Sequence, residues 1–274
     1  MKLAVSNIAW DAAADDAAAA VLAREGVRGI EIAPTKWRDD PYAAPAGDVA
    51  ALRGRWEDRG LPIVALQSLM FGRPELQLLA GDHERAALID HLRKVADFAA
   101  GVGARSLVFG SPKNRVRGGR SMADAMAIAR DTFRVLATYA HERSVVFCIE
   151  ANPPEYGCDF ITRTAEAVEL CRLVDDPAVR VNADLGGMML AGEDPADAIA
   201  RAAPYLGHVH ASEPQLARLS SMAAHERAAT ALIAIEYSSW VSIEMRAAER
   251  AAQMTALETA IRAAKRAYRF DGAG

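Results

Sequence analysis

Glu150 in VVFCIEANPP, Asp184 in VRVNADLGG, His210 in LGHVHASEP and Glu244 in WVSIEMR each close a short, apolar, strand-like run. They stand 34, 26 and 34 residues apart, each interval about one βα repeat. Each sits at or beyond the C-terminal end of its run, the end that carries the chemistry of a parallel barrel. Any one of them reads equally well as a surface or ion-paired residue. Four in βα register are harder to dismiss, because charged groups pointing into a barrel mouth need a compensating partner, and a cation is the simplest one. Three oxygen donors and one nitrogen favour a hard or borderline divalent ion: Mn²⁺, Mg²⁺ or Co²⁺, with Zn²⁺ also compatible. An ion held that way can acidify a C–H bond next to a carbonyl.

The elements that must position these residues follow from the pattern around them. Strand-like runs at 2–6, 28–34, 62–68, 104–112, 144–153, 178–186, 205–212 and 239–246 alternate with amphipathic stretches. In 83–102, Leu88, Leu92, Val95 and Ala99 fall on one helical face, and Gly101 and Gly103 mark its exit. The stretches 120–141 and 163–174 repeat the pattern, and the alanine-rich 247–268 reads as a closing helix. Eight such units in 274 residues match the roughly 250 of a (β/α)8 TIM barrel. No Gly/Ser linker divides the chain, so residues 1–274 are read as one domain. The longest non-helical stretches, 33–46 and 68–82, fall on the functional side of the strands. The terminal DGAG is expected to fray.

Bulk properties narrow the function classes. Hydrophobic residues make up 51% of the chain, which supports a large core. The net charge of −4 and pI near 5.9 leave no positive excess to neutralise a phosphate backbone, so nucleic acid is not expected as the main partner. Cys148, Cys158 and Cys171 are odd in number and form no C-x-x-C pair, which reads as reduced cytoplasmic thiols, with Cys148 packed inside a strand. The N-terminus lacks a signal-like apolar region, and charges cut every apolar run well short of a membrane span. A homodimer is the default assembly.

The ordered set IEAN, NADLGG, GHVHASEP and VSIEMR, with SNIAW, GIEIAP and LVFGSPKNR before them, resembles the sugar phosphate isomerase/epimerase superfamily. These are the xylose isomerase-like barrels that include ketose 3-epimerases, inosose dehydratases and endonuclease IV. The resemblance spans essentially the whole chain. It implies a metal-dependent isomerase or epimerase of a sugar or sugar derivative, with Glu150, Asp184, His210 and Glu244 as metal ligands. It also makes Glu150 and Glu244 the acid/base pair working through an enediolate. A dehydratase of inosose or dehydroshikimate type shares the first half of that reaction. An aldolase, an endonuclease IV-like enzyme and a non-catalytic barrel are the remaining alternatives, but the nuclease would need several more His ligands than this chain places on strands. The ketose 3-epimerases carry a His three residues after the metal-binding Asp and an Arg six residues after the metal-binding His. Here those positions are Gly187 and Leu216, with Arg218 near the second, which points away from a plain ketohexose.

Several further residues have both a functional and a structural reading. Lys113 and Arg115, with Arg117 and Arg120 in the same SPKNRVRGGR loop, form either an anion clamp or a solvated basic loop. His208 shares a strand face with His210 and reads as a substrate ligand or a hydrogen-bonded core histidine. Glu213 either reaches the mouth or forms an ion pair. Asn152 either binds a sugar hydroxyl or caps the turn before Pro153-Pro154. Gln67 and Ser68 are expected at the floor, and Arg246 beside an anionic substrate or a carboxylate. Glu31 reads first as the partner of a Lys or Arg. Trp10 and Trp37 read as sugar-stacking or packing aromatics. His225, His83, His91 and His141 read as surface residues.

Overall fold

The computed structural model describes residues 1–270; the expectation for DGAG lies outside the described residues. Eight parallel strands close on themselves in sequence order: β1 (Lys2–Ser6), β2 (Gly29–Ile32), β3 (Ile63–Leu66), β4 (Ser106–Phe109), β5 (Val146–Glu150), β6 (Val179–Asp184), β7 (Leu206–Ser212) and β8 (Trp240–Glu244). Among the described residues, nine α-helices surround them: α1 (Asp15–Arg24), α2 (Ala46–Glu57), α3 (Asp82–Val102), α4 (Met122–Arg143), α5 (Thr164–Val174), α6 (Leu185–Leu190), α7 (Pro195–Ala202), α8 (Met222–Ala234) and α9 (Gln253–Ala267). This is the expected (β/α)8 barrel.

Local chemistry sets the element ends. Ser121 starts α4 by accepting the Asp124 amide at 3.1 Å, and Asp194 starts α7 by accepting the Ala196 amide at 2.9 Å. Gly103, at φ +83, ends α3 in the left-handed cap that glycine adopts at no steric cost. The helices bury Leu88, Leu92, Val95 and Ala99 of α3 and Phe133 and Leu136 of α4 against the outer faces of the strands. Small alanines let the helices approach closely. Within the strand ring, Ala4, Val64 and Ala65, with Trp240 packed on them, form a separate small cluster near the start of β8.

Register positions the mouth. Glu150 lies beside Asn182, and Asn182 beside His208. One step up, Asp184 lies beside His210 and His210 beside Ser242. Ser212 lies beside Glu244. Barrel stagger tilts these rows around the axis, so residues at different strand heights converge on one end. Among the described residues, no helix is long and apolar enough to cross a membrane.

Candidate metal and active site

Three carboxylates crowd one imidazole at the C-terminal mouth. The His210 Nδ1 lies 3.2 Å from Glu244 Oε2, 3.4 Å from Glu150 Oε2 and 3.7 Å from Asp184 Oδ2. Ligand atoms of Glu150, Asp184 and His210 all fall within 4.8 Å of one another. Each carboxylate is held by a neighbour. Asn182 and Asn152 donate to the two oxygens of Glu150 at 2.8 and 3.0 Å. Gln67 donates to Glu244 Oε1 at 2.7 Å, and Ser6 fixes the Gln67 carbonyl from behind at 2.5 Å. Asp184 accepts from the Gly187 amide at 2.5 Å and from the Ser212 hydroxyl, which itself accepts the Gly186 amide at 2.8 Å.

Below His210 lies a fully buried carboxylate. Glu31 has one oxygen 3.1 Å from His210 Nε2 and the other 3.2 Å from His208 Nε2. Carboxylates only accept, so each Nε2 carries the proton, and Nδ1 is the atom His210 turns toward the other three carboxylates. Burial pushes the Glu31 carboxyl up, but the His210 and His208 charges outweigh it and hold it well below the usual range. Burial likewise opposes charge on His210, yet Glu31 and Glu244 raise it well above an ordinary imidazole. Asp184 is raised to about 7 by burial and then by the Glu150 and Glu244 charges. Glu150 resists burial through its His210 contact and the Asn152 hydrogen bond and is lowered.

This donor set fits a divalent cation. Three carboxylates cannot all ionise around one point in a buried site without a positive charge between them, and the rise of Asp184 expresses that conflict. A cation removes it. The Nε2-protonated His210, backed by a carboxylate, has the arrangement common to metal-ligating imidazoles.

The other expected site residues divide. Gln67, Asn152, Glu150 and Glu244 line one cavity of about 500 Å³, and exposed Lys113 lines it farther out. His208 is buried beneath the site, paired with Glu31. Glu31 thus pairs with two histidines rather than with the expected Lys or Arg. Arg115 is no mouth clamp: it is fully buried, donates to the Glu150 carbonyl at 2.6 Å and stacks 5.8 Å from the Phe109 ring centre. Its Nε and Nη1 have no hydrogen-bond partner among the described residues. Arg117 and Arg120 spend their guanidinium groups on the carbonyls of Asp159, Leu79 and Ala80 and of Arg120 itself. Glu213 turns away from the mouth. It accepts the Ser220 and Ser221 amides at 2.7 and 2.6 Å ahead of α8, with His225 Nε2 3.4 Å away. Arg246 and Arg218 are exposed; the Arg246 amide donates to the Leu216 carbonyl at 2.8 Å.

Other expectations are corrected. His225 is fully buried and contacts the Tyr268 hydroxyl at 2.9 Å. His91 is buried against the 67–81 loop, donating to the Leu69 carbonyl at 2.8 Å. Trp10 is fully buried, its indole donating to Asp15 at 2.9 Å; it packs and stacks on nothing at the mouth. His83 and His141 are exposed as expected. At position 187 a Cβ would lie 2.9 Å from Asp184 Oδ1 and 3.3 Å from the Ala151 carbonyl oxygen, so a side chain there would require the Asp184 carboxylate to shift. Leu216, like Gln215, has a left-handed backbone at φ 58.

Sequence reasoning passed over Asn182 and Ser212. Both lie two residues from an expected site residue on the same strand, and period-two alternation would have put them on the same face.

A parallel barrel with an imidazole and three carboxylates gathered at its C-terminal mouth is the framework of an enzyme of small molecules, with a donor set that could hold a cation. The chain belongs to the xylose isomerase-like TIM barrel family, whose model matches residues 19–268. No curated protein matches the chain. Solved structures do. A D-psicose 3-epimerase with D-tagatose from Clostridium cellulolyticum H10 has a TM-score of 0.81 at 15% identity, covering 97% of this chain and 99% of that one. A 3-keto-D-glucoside 4-epimerase from E. coli has a TM-score of 0.75 at 19% identity, with 95% and 98% covered. An IolI protein with a bound zinc atom has a TM-score of 0.72 at 16% identity, with 97% and 96% covered.

Proposed function

We propose that this protein is a divalent-metal-dependent isomerase or epimerase of a sugar or sugar derivative. The observation that carries the reading is the gathering of Glu150, Asp184 and Glu244 within 3.2–3.7 Å of one imidazole nitrogen. Those three carboxylates and His210 are the proposed ligands, and Mn²⁺, Mg²⁺ or Co²⁺ suits them best, with Zn²⁺ compatible. The ion would supply positive charge where a ketone and its neighbouring hydroxyl become an enediolate.

The chain's own groups handle the proton. Glu150 and Glu244 are the proposed acid/base pair. One, ionised, takes the proton from the carbon beside the carbonyl. The other, protonated, returns a proton to that carbon from the opposite face, inverting it. Asn152 and Asn182 hold Glu150 and Gln67 holds Glu244, so neither carboxylate must reorient during transfer. Gln67, Asn152 and Lys113 are left to contact substrate. Arg115 acts from behind, its positive charge favouring the ionised form of Glu150. The family likeness and the sugar epimerases among its structural relatives support this reading.

Solvent-deuterium exchange tests it. The protein, loaded with Mn²⁺, is screened against ketoses, inososes and keto-acids in D₂O. Exchange at the carbon next to the carbonyl, with a changed stereocentre, is the expected result. Exchange accompanied by loss of water assigns the dehydratase outcome instead. No exchange with any of the three classes refutes the proton-transfer reading.

A further inference from the structure

The mouth of the barrel has two lobes. The first is the cavity of about 500 Å³ that contains Glu150 and Glu244. A second cavity, of about 490 Å³, is lined by the loops after β1 and β2: Ile8, Ala33, Thr35, Lys36 and Asp39. The two share one wall, formed by Ser68, Phe71, Gly72 and Arg73. Phe71 on that ridge is 71% exposed, the most exposed of the large hydrophobic side chains described.

The ridge is built to hold Phe71 out. Ser68 at φ 55 and Gly72 at φ 75 bracket it in left-handed backbone, an arrangement a β-branched or bulky residue at 72 would strain. Beneath it, the Leu69 carbonyl accepts from His91 at 2.8 Å and Tyr42 at 3.2 Å. Asn114, buried, donates to the Arg73 and Leu76 carbonyls at 2.8 and 2.6 Å. The aromatic ring is therefore presented to solvent by an anchored turn, so little ordering entropy remains to be lost when a ligand meets it. In the second lobe, the Thr35 hydroxyl and the Asp39 carboxylate have no hydrogen-bond partner among the described residues.

We infer that the second lobe is a glycone subsite. The substrate, on the reading that a sugar reacts beside Glu150 and Glu244, carries a second sugar ring. That ring lies over Phe71, its hydroxyls meeting Thr35 and Asp39. An exposed aromatic face matches the apolar face of a pyranose, and unpaired oxygen groups match its hydroxyls. Two adjoining cavities of similar size match two rings.

The test is binding, measured by calorimetry on the full chain with Mn²⁺. The probes are D-fructose and three glucosyl-fructose disaccharides with different linkages: turanose, maltulose and isomaltulose. At least one disaccharide is expected to bind about tenfold more tightly than D-fructose, and Phe71→Ala is expected to weaken that disaccharide about three- to tenfold more than it weakens D-fructose. Asp39→Ala, at an exposed position, removes a further part of that preference. Equal affinity for D-fructose and every disaccharide overturns the subsite and leaves the one-ring reading intact. A preference that survives both substitutions also overturns it. Binding of none of the four overturns the subsite, and the proton-transfer reading is then decided separately by the exchange screen.

Discussion

Glu31 shows how a residue that touches no substrate governs those that would. Its two oxygens each take one Nε2 proton, from His208 and from His210, in a fully buried setting. With the carboxylate removed, His210 is free to hold its proton on either nitrogen, and the tautomer that points an N–H at the cation position becomes accessible. We expect Glu31→Gln to weaken Mn²⁺ affinity by about 10–100-fold while the circular dichroism spectrum stays native. An unchanged dissociation constant in calorimetry would leave Glu31 as packing alone. Glu150 and Glu244 are a different case, since each is assigned a proton to move. Glu150→Gln and Glu244→Gln keep the shape but lose the charge and one acceptor oxygen each. Each is expected to lower kcat by about a hundred- to ten-thousand-fold with the fold retained; near-native turnover in either variant retires its acid/base role.

At the scale of elements, a buried cluster ties the end of β7 to α8 and to the C-terminal end of α9. Glu213 caps the chain before α8, His225 on α8 faces it, and Tyr268 after α9 closes the cluster. Burial holds the His225 pKa below its ordinary 6.5 and outweighs the attraction of Glu213. The folded chain thus refuses a proton that the unfolded chain accepts. Stability is complete above pH 6.5 and falls as pH drops toward the folded-state value. Glu213, lowered by its amide hydrogen bonds against the cost of burial, adds a second loss below the ordinary carboxylate range. The urea midpoint is expected to decline from neutral pH to about pH 5, and less steeply in His225→Gln; equal slopes in the two proteins would detach His225 from the effect. Strand positions were legible because short apolar runs, spaced by one βα repeat, have few other solutions. β1 and β7 fall at 2–6 and 206–212 against expectations of 2–6 and 205–212. The four residues at the strand ends were legible for the same reason. His91, His225 and Arg115 were not. Their burial depends on which loop folds over which helix, and the local pattern of α3, α8 or the 110–120 loop does not encode that.

For the whole molecule, the mouth stores electrostatic repulsion that only the folded state experiences. A cation that binds the folded chain alone stabilises it by mass action, about 2.7 kcal/mol at a hundred times its dissociation constant. Mn²⁺ is therefore expected to raise Tm by several degrees, and a chelator to reverse the rise; a Tm indifferent to both would leave the cluster as a proton-shared polar core. The tie across the strand ring has a further consequence. Glu31 meets His208 and His210 across 177 and 179 residues of chain, and Gln67 meets Glu244 across 177. During synthesis, then, these ties cannot form among the segments that emerge first. The set of four is complete only when the eighth strand brings Glu244, so, on the metal-binding reading, a stalled or truncated product would lack part of the ion's protection against proteases.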